Sequence, residues 1–358
     1  MENLKKNEKV IGIPRAMSFY NNYPFYYGFF TDLGIKIVLS DVTTKQTMSR
    51  GSSLVVTETC LPIKVYIGHI LNLLDKGVDK IFVPSIQSIA PKIYNCSKIR
   101  GLPDLVRNVV KKDFTMVEAT LDKSEKNQGL YDFLKEIAAY FDITDEKVIK
   151  RASKAGWRCY NNFFIMTKSG MSYKKAMNYA LQGKIFIENQ TKEYPITVAL
   201  VSHGYNIYDE RTSMKIIEKL EAMDVKVVSS LQLSNEQMDE GINTLGEVKY
   251  WANEHEMTGT AGHYLKDHRI DGIITLTAFG CGPDSLMVER IQRRAKHFNK
   301  PLLHLTIDEQ TGEAGFITRL EAFVDMLFRK KRAIIISNIE IEDSKSSYIP
   351  NTNFIETK

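Results

Sequence analysis

The chain has 358 residues, 43% hydrophobic and 25% charged, with a formal net charge of +5 at neutral pH. That length exceeds one ordinary core, so two domains are expected, and the balance of residue types is that of a globular protein. Acids and bases are interspersed, with no arginine stripe or aromatic–basic platform, which argues against a nucleic-acid partner; the basic cluster at 329–332 reads as a solvated helix end.

The N-terminal MENLKKNEK is charged and has no apolar signal core. No uninterrupted apolar run approaches the ~18 residues of a membrane span. A cytoplasmic chain without membrane contact is expected, and its thiols are expected to be free. From residue 9 onward strand and helix patterns alternate. KVIGIP, IKIVLS, SLVV and KIFVP read as strands, and MSFYNNYPFYYGFFTDLG reads as an aromatic helix interrupted or offset near Pro24. Gly34 and Gly77 fall at helix ends. Residues 116–190 change character and favour helices, as in GLYDFLKEIAAYFD and DEKVIKRASKAGWRCYNNFFIMTKSG. The α/β rhythm then returns with ITVALVSH, VKVVSS, GIITLTAF and PLLHLTID as strands and with SMKIIEKLEAM, DSLMVERIQRRAKHF and TRLEAFVDMLFRK as helices.

The expected fold is α/β. Two Rossmann-like or flavodoxin-like parallel-sheet domains, at 1–115 and 191–340, are joined by a helical connection at 116–190 and followed by a weakly ordered tail at 341–358.

Three of the four cysteines stand at ends of apolar, strand-like runs. Cys60 follows SSLVVTET, Cys96 comes shortly after KIFVPSIQSIAP, and Cys281 follows IDGIITLTAFG. Ligands bind beyond the carboxyl ends of strands in open α/β sheets. Three soft thiolate donors at such positions suggest one shared metal centre, of iron–sulfur, zinc or copper(I) type. Paired Cys-x₂₋₄-Cys zinc spacing and a Cys-x-x-Cys redox motif are both absent from the sequence. The competing reading is that each cysteine is a small buried hydrophobe. Three thiolates on a cubane would leave one iron open as a Lewis acid. Cys159, among aromatics at helical spacing, reads as packing.

Other candidates follow the same logic. His203, after ITVALVS, could hydrogen-bond a substrate or a sulfur, against an ordinary structural role. Arg15, at the end of the first strand, could hold a phosphate or carboxylate, or form a plain ion pair. Glu58, two residues before Cys60, could act as proton donor or iron ligand, or as a helix-start carboxylate. Asp308, Glu309 and Glu313 are expected to cap a helix or pair with Arg319 rather than bind a divalent cation. The loop GCGPDS around Cys281 combines glycines with a helix start. No Walker loop and no Gly-x-Gly-x-x-Gly occurs, so the chain itself is not expected to hydrolyse ATP or bind a dinucleotide.

The stretches GIPRAMSFYNNYPFYYGFFTDLGIKIVLSD, TETCLPIKVYIGHILNLL, IFVPSI, AFGCGPDS and LTIDEQTGEAGFITRLEAFVDM, in that order, resemble the acyl-CoA dehydratase activase-related (DUF2229) family over residues 10–330. That family is similar to the iron–sulfur subunits of 2-hydroxyacyl-CoA dehydratases. The resemblance implies a [4Fe–4S] cluster held by three cysteines between two α/β domains, here Cys60, Cys96 and Cys281. It implies a dimeric ATP-hydrolysing activase, acting in trans, that delivers low-potential electrons. It also implies radical or reductive chemistry on a CoA thioester, which in a dehydratase proceeds through a ketyl radical that permits loss of an unactivated hydroxyl. A homo- or heterodimeric assembly is expected with it. The alternative is an electron-transfer or activation module with no substrate of its own.

Overall fold

A computed structural model describes residues 8–91, 93–124, 129–188, 192–246 and 251–346. Its strands are β1 (Val10–Ile13), β2 (Lys36–Leu39), β3 (Lys80–Phe82), β4 (Ser85–Ala90), β5 (Ile93–Tyr94), β6 (Thr115–Val117), β7 (Thr120–Asp122), β8 (Ile196–Val201), β9 (Val225–Val228), β10 (Gly272–Ala278) and β11 (Leu302–Ile307). The first lobe is a parallel sheet in the order β2-β1-β3-β6, and the second a parallel sheet in the order β11-β10-β8-β9. Renumbered from its own first strand, each lobe reads 2-1-3-4, the flavodoxin-type order. That order places a topological switch point beside the first strand, between the first and third. The loops that matter are therefore those after β1 and β3 in one lobe and after β8 and β10 in the other. Strands β1, β8, β9 and β10 are short and rich in Val and Ile, and all seven residues of β10 are buried, as befits a strand covered on both faces.

The two lobes share one apolar core. A single buried cluster contains Ile67, Ile81 and Val83 from the first lobe with Leu200, Ile274 and Ile307 from the second. The connecting helices Leu130–Ala139, Glu146–Lys168 and Tyr173–Leu181 arise where the sequence favours helix. The long one crosses the helix Phe19–Asp32 at backbone contact. A β-carbon on Gly28 would lie 2.6 Å from the Ala155 carbonyl, and one on Gly156 would lie 2.8 Å from the Phe25 carbonyl.

Several expectations need correction. The helix Phe19–Asp32 runs unbroken through Pro24. Proline supplies no N–H to the Tyr20 carbonyl; that carbonyl instead accepts from the Tyr173 hydroxyl at 3.0 Å, which removes the reason for a break. The run SLVV is not a strand but a turn, with Leu54 39% and Val56 71% exposed. It follows an unforeseen helix, Lys45–Ser52, started by a reciprocal Thr44–Thr47 capping box. A β-carbon on Gly51 in that helix would stand 1.8 Å from the Lys64 carbonyl, so only glycine permits the close crossing with the helix Leu61–Asp75. The strand-like run KIFVPSIQSIAP divides into β3 and β4, and β4, β5 and β7 form a small three-stranded sheet; β5, β7 and helices Asn235–Leu245 and Ala252–Lys266 were unforeseen. Their runs are too polar or too glycine-rich to carry a clear period. The tail region begins inside a helix, Glu313–Ser346, and residues 347–358 lie outside those described. Among the described residues no helix is long and apolar enough to cross a membrane.

Candidate metal centre

Cys60, Cys96 and Cys281 line one cavity where the lobes meet. Each is the residue that opens a helix: Cys60 before Leu61–Asp75, Cys96 before the short Ser97–Arg100, and Cys281 before Gly282–His297. All three have extended backbones, and Pro62 and Pro283 occupy first-turn positions where a missing N–H costs nothing. The cysteines thus mark helix starts, and for Cys60 the preceding element is a turn, not the expected strand end. The rest of the wall is mostly apolar, including Met17 from the loop after β1, Ile99, Tyr205 from the loop after β8, and Trp251; Lys98 adds one cation. Met17 holds a left-handed φ of 50°, a conformation that is unusual outside glycine and is concentrated at functional sites.

Cys60 is buried, and Cys96 and Cys281 are half-buried. Burial raises the Cys60 thiol pKa above its ordinary value, and Lys98 opposes this. Burial also raises that of Cys281, and the neighbouring Asp284 carboxylate raises it further. Without a metal, these two thiols stay protonated at neutral pH. Asp284 is 1% exposed. Its Oδ1 faces His203 Nε2 at 2.8 Å, while its Oδ2 is buried without a hydrogen-bond partner among the described residues. His203 Nδ1 faces Glu256 at 3.4 Å. Burial alone would lower the His203 pKa, but the charges and hydrogen bonds of Asp284 and Glu256 outweigh it and raise it to about 10. The ring is therefore an imidazolium engaged by carboxylates on both sides.

Three thiols are soft donors, of the kind that suits iron–sulfur clusters, zinc or copper(I). Among the described residues no group of three or more His, Cys, Asp or Glu side chains could hold one metal ion. Zinc needs its ligands to converge on one point at about 2.3 Å. Cluster thiolates bind different irons, so their sulfurs share a cavity without sharing a centre. The cavity's free volume is about 20 Å³, room for about one water, so insertion of a cluster would displace wall side chains.

The remaining candidates stand apart. The Glu58 side chain is exposed, and its backbone carbonyl accepts from Lys98 Nζ at 3.4 Å. Arg15 lines a different, larger cavity, and its Nε donates to the Ser40 carbonyl at 2.7 Å. Asp308 accepts from the backbone N–H of Gln310 and from the Thr311 hydroxyl; Glu309 pairs with Lys64, and Glu313 with Lys219. Arg319 donates to the His304 carbonyl, so the expected pairing with Arg319 does not form. Cys159 is buried at 7% exposure within its helix, as packing requires. Sequence reading missed Asp284's contact with His203, and it missed Glu256, which sits on an unforeseen helix and carries no local motif.

Two lobes of flavodoxin-type order, with three thiols on one cavity where they meet, define a two-lobed α/β protein with a candidate metal centre at the lobe boundary. The family model for the CoA enzyme activase uncharacterised domain (DUF2229) matches residues 10–232. The chain belongs to that family. A second model, the D-component of 2-hydroxyglutaryl-CoA dehydratase, matches residues 162–327. No curated protein matches the chain.

Proposed function

We propose that Cys60, Cys96 and Cys281 hold one [4Fe–4S] cluster and that the chain is the cluster-bearing component of a 2-hydroxyacyl-CoA dehydratase-like system. The observation that carries this reading is the meeting of three thiols, from three helix starts in two lobes, on one mostly apolar cavity. The match to a dehydratase component over residues 162–327 supports it. When bound, such a cluster supplies low-potential one-electron chemistry and an iron free of protein thiolate as a Lewis acid.

The chain's own residues have definite tasks in this reading. Cys60 and Cys96 fix the metal to the first lobe and Cys281 to the second, so a bound metal would staple the lobes. A coordinating metal takes a thiol as thiolate outright, which overcomes the burial that keeps Cys60 and Cys281 protonated. The imidazolium of His203 holds Asp284 at the first turn of the helix that follows Cys281. It thereby fixes that cysteine's approach and offsets a buried negative charge. Val56, Phe279 and Leu286 are exposed large hydrophobics on the segments carrying Cys60 and Cys281. The partner proposed for this face is an ATP-hydrolysing activase that donates electrons. The substrate proposed is a CoA thioester.

The test is spectroscopic. Anaerobically purified protein should have sulfur-to-iron charge-transfer absorption that is lost in Cys281→Ser, and an EPR signal that changes with acyl-CoA. Persistence of the absorption in Cys281→Ser removes that ligand. A signal indifferent to every acyl-CoA tested replaces the enzyme with an electron relay.

A further inference from the structure

A second cavity, much larger than the cysteine site, lies elsewhere in the molecule. It has a volume of about 760 Å³ and lies between the lobes, well within the size range of small-molecule sites. Its first-lobe wall comes from the helix Phe19–Asp32 and the loops after β1 and β2; its second-lobe wall comes from the segment after β8 and the loop after β11. Tyr173 and Tyr208 stack there with ring centroids 4.3 Å apart at 9°, beside Tyr20 and Phe19. A smaller cavity separates it from the cysteines. Tyr20, Asp209 and Thr212 line both this small cavity and the large one, while Met17, Pro62 and Tyr205 line both the small one and the cysteine site.

The charges lining this cavity are unevenly matched. Glu309 is paired by Lys64, Glu313 by Lys219 and Glu210 by Lys174. Asp209 accepts from Tyr20 Oη at 2.8 Å, from the Thr43 hydroxyl, and from the backbone N–H groups of Arg211 and Thr212. These acids are satisfied. On the cationic side, Arg15 and Arg211 line the cavity with no carboxylate at ion-pair distance among the described residues, and Arg15 is the one set against the aromatic wall. It is half-buried, lies over the Phe19 ring at 5.8 Å, and spends only its Nε on the Ser40 carbonyl. Its terminal nitrogens remain available, and that fork matches a planar or tetrahedral oxyanion. The floor of the cavity is also held out of the ordinary: Met214 and Lys215 both adopt left-handed φ, at 51° and 55°. Two consecutive non-glycine residues in that region persist only where surrounding structure fixes them.

We infer that this cavity binds a small organic anion, a carboxylate or phosphate monoester, with its oxyanion on Arg15 and a planar apolar body against the Tyr20, Tyr173 and Tyr208 wall. This site does not depend on the cluster reading, since no cysteine lines it. The experiment is anaerobic titration calorimetry with benzoate and phenyl phosphate as probes, and with inorganic phosphate and benzyl alcohol as controls. At least one of the two probes should saturate, with both controls weaker by about 10-fold or more. Arg15→Gln should weaken the probe by about 10-fold or more, the usual size of a lost charge-assisted contact, and Arg15→Lys should fall between. Met177→Trp, which fills the cavity from the helix Tyr173–Leu181, should block binding with Arg15 intact, so the test survives if Arg15→Gln folds poorly. Lack of saturation by both probes, equal affinity in folded Arg15→Gln, or inorganic phosphate binding as tightly as phenyl phosphate would overturn the inference.

Discussion

Gly280 rests on Cys60. A β-carbon added to Gly280 would lie 3.4 Å from Cys60 Cα and 3.1 Å from the Glu58 carbonyl, and Gly280 itself has a left-handed φ of 78°. The residue before one cysteine of the second lobe therefore touches the backbone of a cysteine in the first. Gly280→Ala should cost about 1–2 kcal/mol from backbone strain alone and push the two cysteine-bearing segments apart. Urea unfolding should read the first effect and iron content after anaerobic reconstitution the second. Wild-type stability and full iron in the variant would show that the contact is not needed.

Lys64 and Glu309 join the lobes by an ion pair of 2.6 Å in which the lysine side chain is 3% exposed, and Lys64 also donates to the Thr57 carbonyl at 3.0 Å. Glu309 keeps 23% of its side-chain exposure, so it can rehydrate when its partner is removed. Lys64→Met should therefore destabilise by about 2 kcal/mol, less than for a fully buried pair. A double-mutant cycle with Glu309→Gln measures the coupling. A coupling near zero would assign Lys64's burial to packing.

His203→Gln leaves the Asp284 carboxylate buried without a cation. Removing one partner of a buried pair costs about 3–5 kcal/mol. The double variant His203→Gln with Asp284→Asn removes both charges and should regain most of that loss. Equal unfolding free energies for His203→Gln and wild type would contradict a stabilising contact between His203 and Asp284.

His69 is 0% exposed, and its Nε2 lies 2.9 Å from the Thr43 hydroxyl. Because the Thr43 hydroxyl donates to Asp209, His69 donates to Thr43 through Nε2–H. Its Nδ1 is left without a partner among the described residues. Burial, reinforced by the positive charge of Arg15, lowers the His69 pKa from 6.5 to about 3. The unfolded chain takes up a proton below about pH 6.5 that the folded chain refuses until about pH 3, so stability falls with falling pH across that window at about 1.4 kcal/mol per pH unit. Between pH 7 and 5 wild type should lose about 2 kcal/mol more than His69→Gln. Parallel pH profiles for the two proteins would contradict the assignment.

Strands were easy to place in the sequence only where the apolar run was continuous, as for β1, β2, β3, β8, β9, β10 and β11. β1, β8 and β10 were the plainest, because strands buried on both faces carry mostly apolar residues; β11, an edge strand, is only partly buried. SLVV misled because an apolar run long enough for a strand can instead be an exposed turn, and nothing local to Leu54 or Val56 reports the absent strand partner. The helices flanking Gly241 and Gly259 were illegible for the opposite reason. Their glycines, which weaken any helical reading, serve a backbone crossing in which a β-carbon on Gly241 would stand 2.0 Å from the Gly259 carbonyl. The cysteines were legible as a set from composition and loop context. The His203–Asp284–Glu256 arrangement was not, since it joins residues 53 and 81 positions apart through the fold alone.

Iron and acid-labile sulfide, quantified on anaerobically reconstituted protein together with its EPR spectrum after reduction, test the central claim most directly. The account predicts about four irons and four sulfides per chain, with the count falling sharply in each of Cys60→Ser, Cys96→Ser and Cys281→Ser but not in Cys159→Ser. Reconstituted wild-type protein that holds no iron, or a Cys159→Ser variant that loses it as the other three do, would contradict it.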